Sequence, residues 1–388
     1  MYNLDQLLRD TGTVQLLRRQ IDGQASATLL RSLKVKIISN CNLRCQMCRY
    51  WQIPKDRLPD EVVKHLLDDA ASLGCEKVHF SGGEVTLHPG LHDFIAHAAG
   101  LGIRVNLTSN GMLMDKDRAR AWIDAGLRSA SFSLDGTNAR THDAIRGVEG
   151  AFRRTCRSIR CLRREIDRRN ARLRIRVNMV ISQLNMRQLP GLIELAGRLG
   201  AVDAIPMPID GKRAPRPTAA EIERFNRDIV PQVAELRKQF GMPIDAGRLY
   251  PFGRSESEIA AASRGEYGFG YYHSHPCYAP WLHAFISHDG DVYACCMTRE
   301  RMPSLGNVRQ QRLLDIFQGS AYEQFRQQML QQRLKVCANC DQYLSENRLV
   351  HNRLERASVL TGQPALLPQL DAFAWQPVPV SPTEGTRS

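Results

Sequence analysis

The sequence has no apolar run long enough to cross a membrane. A transmembrane helix needs roughly eighteen or more consecutive apolar residues, and no stretch of the chain approaches that length. Residues 1–6 also lack the basic-then-apolar order of a signal peptide. We therefore expect a cytoplasmic protein without a membrane partner, in which the eleven cysteines stay reduced.

Aromatic residues are scarce, at 7% of the chain, although a net charge of +13 would attract nucleic acid. Much of the positive charge lies in a helix-like, Arg-rich run over residues 153–176, which contains no aromatic side chain that could stack on bases. We interpret this run as a solvated helix face and expect no nucleic-acid partner. A basic RNA-modifying protein is the alternative outside small-molecule chemistry.

Seven of the eleven cysteines fall into two sets, and the first set follows a strand-like run over residues 33–39. Cys41, Cys45 and Cys48 have three and two residues between them. A loop with this spacing can supply three thiolates to one 4Fe–4S cluster and leave the fourth iron open to another ligand. A zinc knuckle is the alternative for the same three thiols.

Strand and helix patterns then alternate along residues 33–240. After the first strand, the predicted strands lie at residues 77–81, 103–109, 129–134, 173–181 and 202–206, and the last predicted helix of this region lies at residues 219–240. Repeated strand-then-helix order predicts a parallel sheet, and six such units predict an α/β fold built on a partial (β/α)6 TIM-like barrel. The active site of such a barrel lies at the carboxyl ends of its strands.

Three of the predicted strands carry polar residues at alternate positions. These positions are Asn106, Thr108 and Asn110; Ser131, Ser133 and Asp135; and Arg174, Arg176 and Asn178. Because the apolar face of a barrel strand packs on helices, the polar sets are expected to point inward. A polar interior indicates a polar ligand.

The strand ends carry motifs that resemble those of the radical S-adenosylmethionine (SAM) superfamily. They are Ser81-Gly82-Gly83-Glu84, Asn110-Gly111, Ser133-Leu134-Asp135-Gly136 and His142-Asp143-Ala144-Ile145-Arg146-Gly147, together with the first cysteine set. The cysteine loop departs from the family at Met47, where an aromatic residue is usual.

The resemblance implies a cofactor site at which SAM chelates the open iron of a 4Fe–4S cluster. It assigns Gly82, Gly83 and Glu84 to the SAM amino group, Ser133 and Asp135 to the ribose and Arg146 to the carboxylate. Asn110 and Asn178 complete the predicted cofactor-binding set. It also implies a reducing partner such as flavodoxin or ferredoxin.

The second cysteine set comprises Cys277, Cys295, Cys337 and Cys340. A predicted hairpin over residues 285–294 and a predicted helix over residues 313–331 separate its members. This order resembles the auxiliary-cluster extension called SPASM or, when shortened, Twitch, which implies a second 4Fe–4S cluster with four cysteine ligands. A zinc ribbon would use the same four thiolates. Cys296 is the alternative to Cys295, which the spacing from Gly290 favours.

The predicted organisation has five parts. They are an N-terminal helical cap (1–32), the radical SAM barrel (33–240), a connecting or lid segment (241–276), a small hairpin-plus-helix auxiliary-cluster domain (277–345) and a C-terminal tail (346–388).

The motif order resembles the 2-deoxy-scyllo-inosamine dehydrogenase type of radical SAM enzyme. That resemblance implies an oxidoreductase that removes hydrogen from a small polar metabolite, such as an aminocyclitol or sugar in antibiotic biosynthesis, and passes an electron to the auxiliary cluster. Asp210 and Arg176 are the candidates for the catalytic base. Modification of a ribosomally made peptide and a redox-neutral sugar epimerase or dehydratase are the alternatives.

Overall fold

A single eight-stranded sheet organises the protein in the computed structural model, which describes residues 10–209, 215–331, 334–341 and 344–361. Its strand order is β6-β5-β4-β3-β2-β1-β7-β8. The strands are β1 (Ser32–Ile38), β2 (Lys77–Gly82), β3 (Arg104–Ser109), β4 (Ser129–Ser133), β5 (Arg174–Ile181), β6 (Asp203–Pro208), β7 (His283–Ile286) and β8 (Val292–Tyr293). Adjacent strands are parallel except β7 and β8. The predicted α/β class is confirmed.

Helices connect the successive parallel strands and cover the outer face of the sheet, as right-handed crossover connections require. Those of the barrel are Asp60–Ser72, Leu91–Gly100, Lys116–Asp124, Ala139–Arg146, Ala151–Arg169, Leu189–Arg198, Ala219–Arg224 and Val230–Gln239. The remaining helices are Thr11–Ile21, Ala246–Leu249, Glu256–Arg264, Tyr271–Ser274, Ala279–Leu282, Leu313–Gln318, Ser320–Gln331, Lys335–Ala338 and Leu344–Thr361.

Three helical features differ from the sequence-based expectation. Helix Ala139–Arg146 was not predicted; Asn138 caps its N-terminus and Gly147, at φ 69°, ends it. The helix predicted over residues 219–240 is interrupted by a π-helical turn at Phe225–Ile229. The helix predicted over residues 313–331 divides at Gly319 into Leu313–Gln318 and Ser320–Gln331.

The main hydrophobic core lies between the sheet and its helices. On β1, Leu33, Val35 and Ile37 are at most 1% exposed and pack into this core, whereas Lys34 and Lys36 alternate with them and are half-buried on the inner face. Full burial of each such aliphatic side chain contributes about 1.5–3 kcal/mol. The alternation of β1 therefore fixes which of its faces points into the barrel.

A second, smaller core joins the two ends of the described chain. Val14 and Leu17 of the N-terminal helix pack with Trp281 and with Val350 and Leu354 of the last helix. That helix occupies the first part of the region predicted to be a C-terminal tail. Along the described ranges, no helix combines the length and apolar content needed to span a bilayer.

Strand β7 joins the C-terminal part of the chain to the barrel. It pairs in parallel with β1, with Ser32 opposite His283 and Val35 opposite Ile286. The Ser32 hydroxyl and His283 Nδ1 lie 2.7 Å apart in a buried side-chain hydrogen bond. The predicted hairpin is thus an extension of the barrel sheet at its β1 edge.

Candidate active site

The first three thiols lie together in the loop that follows β1. Cys45 is buried, Cys41 and Cys48 are half-buried, and all three pack in one small cluster that includes Leu43 and Ala151. Burial raises the pKa of Cys41 to about 11. Burial also raises the pKa of Cys45, against the opposing effect of Arg146. The surrounding protein does not favour the thiolate forms of Cys41 and Cys45, so a metal that binds them as thiolates would have to supply that stabilisation.

The unpredicted helix Ala139–Arg146 holds this loop in place. The backbone N–H of Arg44 donates to the carbonyl of Arg146 at 3.1 Å, and that of Gln46 donates to the carbonyl of Ile145 at 3.0 Å. A Cβ at Gly147 would lie only 2.3 Å from the carbonyl oxygen of Arg44. Glycine at position 147 therefore allows the helix end to approach the cysteine loop.

The Gly82-Gly83-Glu84 motif also contacts this loop. The backbone N–H of Gly83 donates to the carbonyl of Ile38 at 2.7 Å, and that of Glu84 donates to the carbonyl of Asn40 at 2.7 Å. A Cβ at Gly83 would lie 2.1 Å from the Asn40 oxygen. These two amides therefore join the end of β2 to the residues before Cys41. Any contact of the motif with SAM must use other atoms.

The Glu84 carboxylate holds three neighbouring residues in position through four hydrogen bonds. It is 1% exposed. Its Oε1 accepts hydrogen bonds from the Thr86 N–H at 3.0 Å, the Thr86 hydroxyl at 2.6 Å and the Ser109 hydroxyl at 2.8 Å. Its Oε2 accepts from the Asn110 N–H at 2.7 Å. Glu84 is thus a positioning residue that joins the ends of β2 and β3.

Asn110 connects Glu84 to the first thiol of the cysteine loop. Its Nδ2 donates to Asn42 Oδ1 at 2.7 Å and lies 3.9 Å from Cys41 Sγ. Its Oδ1 accepts from the Met112 N–H at 2.9 Å. Glu84 and Asn110 therefore form a continuous hydrogen-bonded connection from β2 to the cysteine loop.

Asp135 and Arg146 are paired with each other. Arg146 Nη2 lies 2.6 Å from Asp135 Oδ2, and Asp135 is fully buried. Asp135 Oδ1 also accepts from the Val180 N–H at 2.8 Å, and Arg146 Nη1 is 3.7 Å from Cys45 Sγ. Burial raises the pKa of Asp135, and Arg146 opposes that shift. Both residues therefore lie beside the first thiol set and form an ion pair with each other.

Ser133 and Asn178 lie opposite each other on β4 and β5, on the half-buried inner face. Arg176 is two residues before Asn178, and its Nε is buried without a hydrogen-bond partner among the described residues. Ser81 Oγ, before the two glycines, is likewise buried and unpartnered within those ranges. Such groups need polar partners, which fits a polar ligand inside the barrel. Asp210 lies outside the described residues.

Lysines on the inner face were missed by the sequence-based reasoning. Lys36 Nζ lies 3.9 Å from the centroid of the Tyr50 ring, just inside the cysteine loop. Burial lowers the pKa of Lys36 to about 7, and Arg299 acts in the same direction. The signal was present in the alternation Leu33-Lys34-Val35-Lys36-Ile37. An alternating strand at the centre of a sheet places its lysines inside.

Three thiols of the second set lie near Tyr272. Burial raises the pKa of Tyr272 well above its ordinary value, and the neighbouring Cys277, Cys340 and Cys337 act in the same direction. Cys277 and Cys340 are buried. The pKa of Cys295 is raised by burial first, then by Cys296 and then by Cys277, so Cys295 lies near Cys277. Cys277, Cys337 and Cys340 therefore lie around Tyr272, and Cys295 lies near Cys277.

Two parts of the chain match known families. Residues 35–196 match the radical SAM superfamily, and residues 277–341 match an iron–sulfur cluster-binding domain, SPASM. This chain contains a radical SAM domain and a SPASM domain. Its cofactors are accordingly SAM, a SAM-binding 4Fe–4S cluster and an auxiliary 4Fe–4S cluster, as the resemblance to the family implied.

Relatives of this radical SAM protein include two proteins called AdoMet-dependent heme synthase. One, from Methanosarcina barkeri, is 34% identical over 175 residues, which are 44% of this chain and 48% of that protein. The match thus spans about half of that relative's length. Another, from Oleidesulfovibrio alaskensis, is 27% identical over 328 residues, 81% of each protein.

A solved structure has a similar fold. Streptococcus suis SuiB bound to precursor peptide SuiA superposes with a TM-score of 0.62 at 16% identity, over 85% of this chain and 76% of that one. At this identity the likeness shows the fold alone.

Proposed function

We propose that this radical SAM protein oxidises an alcohol carbon of a small polar metabolite to a ketone, with the auxiliary cluster as electron acceptor. The observation that carries the proposal is that the first thiol set follows the carboxyl end of β1, whereas Cys277 and Cys295 of the second set lie next to the amino end of the parallel strand β7. Cys41 follows the carboxyl end of β1. Cys277 precedes the amino end of β7, which is parallel to β1, and Cys295 follows β8, which returns antiparallel to β7.

This placement puts the interior between the two predicted cluster sites. When bound, SAM and the first cluster supply a 5′-deoxyadenosyl radical that removes a hydrogen atom, and the auxiliary cluster supplies a site for the remaining electron. Conversion of an alcohol to a ketone loses one hydrogen atom, one proton and one electron. A substrate held between the two ends of the barrel can lose all three without leaving the site.

The proton needs an acceptor, and Lys36 suits this role better than the two residues predicted from sequence. Arg176 is a poor base because a guanidinium stays protonated near neutral pH, even though burial lowers its pKa. Lys36 has a pKa of about 7 and lies next to the cysteine loop. An ammonium with that pKa is partly neutral at the working pH of a general base. Asp210 remains a sequence-based candidate.

The test is an anaerobic assay of the reconstituted protein with SAM, a reductant and a panel of aminocyclitols and sugars. A heme precursor belongs in the panel because of the relatives' names. We expect one ketone for each 5′-deoxyadenosine, and we expect Cys337→Ser to keep SAM cleavage but lose the ketone. Products at the oxidation level of the substrate would contradict the proposal and favour an epimerase or dehydratase.

A peptide is the second candidate substrate. It is supported by the similar fold of SuiB, which was solved with a precursor peptide. Turnover of a peptide, with none of the small metabolites oxidised, would favour it. The same assay with mass spectrometry distinguishes the two.

A further inference from the structure

Three cationic side chains share the interior of the barrel. Lys34 lies on β1, Lys77 begins β2 and Arg176 lies on β5, all half-buried on the inner face. Each of the three lowers the pKa of His79, which burial already lowers well below its ordinary value. Lys34 lies opposite His79 in the register of β1 and β2, and Lys77 is two residues before His79 on the same face of β2. Arg176 reaches the same imidazole from β5.

Carboxylates of the described residues do little to balance the positive charges of these three side chains. No carboxylate of the described ranges lies within ion-pair distance of Lys34, Lys77 or Arg176. Asp203 favours the charge of Arg176. Its two oxygens, however, are 2.7 Å from Arg237 and 2.7 Å from Arg248.

The pKa of Lys77 shows how this environment disfavours a positive charge. Burial lowers its pKa to about 8, and Arg176 and Arg104 act in the same direction, whereas Glu346 opposes them. Its Nζ can contact Asn106 Oδ1 at 3.1 Å when the amide oxygen faces it. A neutral amide oxygen does not balance a charge. An uncompensated cation in a desolvated site gains strongly from a bound anion.

The position of this group separates it from the SAM site. Lys77 is the first residue of β2, and Lys34 and Arg176 are each the third residue of their strands. The cysteine loop and the Gly82-Gly83 motif lie at the opposite, carboxyl ends of β1 and β2. An anion on these cations would lie deeper in the barrel than SAM, on the side of the second thiol set.

We infer that the substrate carries an acidic group, a carboxylate or a phosphate, which Lys34, Lys77 and Arg176 bind inside the barrel. The inference rests on the proposed function in taking the interior as the substrate site. It narrows the substrate class from polar metabolites in general to anionic ones. Neutral or cationic sugars would leave the three cations uncompensated.

The experiment measures anion binding by the full-length, anaerobically reconstituted protein, saturated with SAM so that the carboxylate site of SAM is filled. The probes are citrate for a carboxylate, inorganic phosphate for a phosphate and myo-inositol as the neutral control, titrated calorimetrically at low, constant ionic strength. We expect citrate or phosphate to bind and inositol not to bind. Which of the two anions binds more tightly identifies the acidic group.

Variants assign the binding to these residues. We expect Lys77→Met and Arg176→Gln each to weaken anion binding at least tenfold, and the exposed Lys116→Met to leave it unchanged. Because Lys77 is a buried cation without an ion pair among the described residues, Lys77→Met is also expected to raise the Tm of the anion-free protein, whereas loss of a merely structural lysine would lower it. Wild-type anion affinity in both variants, or inositol binding as tight as that of citrate, would overturn the inference.

The measurement needs no turnover, so it separates this inference from the proposed oxidation. If anions bind as expected and no substrate is oxidised, the oxidation fails and the anion site stands. If neutral sugars are oxidised and neither anion binds, the anion site fails and the oxidation stands.

Discussion

Replacement of Glu84 by glutamine tests whether this buried carboxylate positions the first cluster loop. The carboxylate accepts four hydrogen bonds, from two groups of Thr86, from Ser109 and from the backbone of Asn110. Glutamine keeps one acceptor oxygen and presents an NH2 group at the other position. In either orientation of the amide, at least one buried N–H donor faces another donor.

The expected cost follows from these contacts. A hydrogen bond to a charged group contributes about 1.5–3 kcal/mol, and a buried donor left unsatisfied costs a similar amount. We therefore expect Glu84→Gln to reduce the free energy of unfolding by about 3 kcal/mol. The displaced Asn110 would no longer hold Asn42 and the adjacent Cys41 in place.

The assay is iron content after anaerobic reconstitution, together with urea unfolding. Two cubes give about eight irons in the wild-type protein, and loss of the first leaves about four. We expect Glu84→Gln to approach four and the exposed Glu61→Gln to stay near eight. Wild-type iron content and wild-type stability in Glu84→Gln would refute the positioning role.

Two further predictions concern stability. Asp203→Asn should destabilise the protein by about 3–5 kcal/mol, because it leaves the fully buried Arg237 without its charged partner, whereas the more exposed Asp245→Asn should change the urea midpoint little. Burial lowers the folded-state pKa of His142 and His283 to about 3 from an ordinary 6.5, so below pH 6.5 only the unfolded chain takes up these protons. The free energy of unfolding should therefore fall as pH drops from about 6.5 toward 3, by up to about 1.4 kcal/mol per pH unit for each histidine. Urea unfolding at pH 7 and pH 5 measures this loss, which should be smaller in His283→Gln than in the wild-type protein. An equal loss in the two proteins would contradict this assignment.

Local sequence patterns were enough to predict the first cluster loop and the polar faces of the strands. The spacing of Cys41, Cys45 and Cys48 predicts a cluster loop because a short loop can bring three thiols around one cube. Alternation along residues 104–109 and 174–181 predicts strands with one polar face, because side chains of a strand point to opposite sides in turn. Both features depend on residues near each other in the chain, so the α/β barrel and its cofactor family could be predicted.

Only the tertiary structure decided what depends on distant residues. The pairing of β1 with β7 joins Ser32 to His283 across 251 positions. It thereby places Cys277 and Cys295 next to the amino end of β7, whereas Cys41 follows the carboxyl end of β1. The sequence motif was enough to single out Glu84, but its positioning role depends on hydrogen bonds from Ser109 and Asn110, which lie at the end of the neighbouring strand β3. Lys34, Lys77 and Arg176 form one cationic group only because the sheet curves and brings three strands around the same interior, a consequence of long-range pairing that local periodicity does not encode.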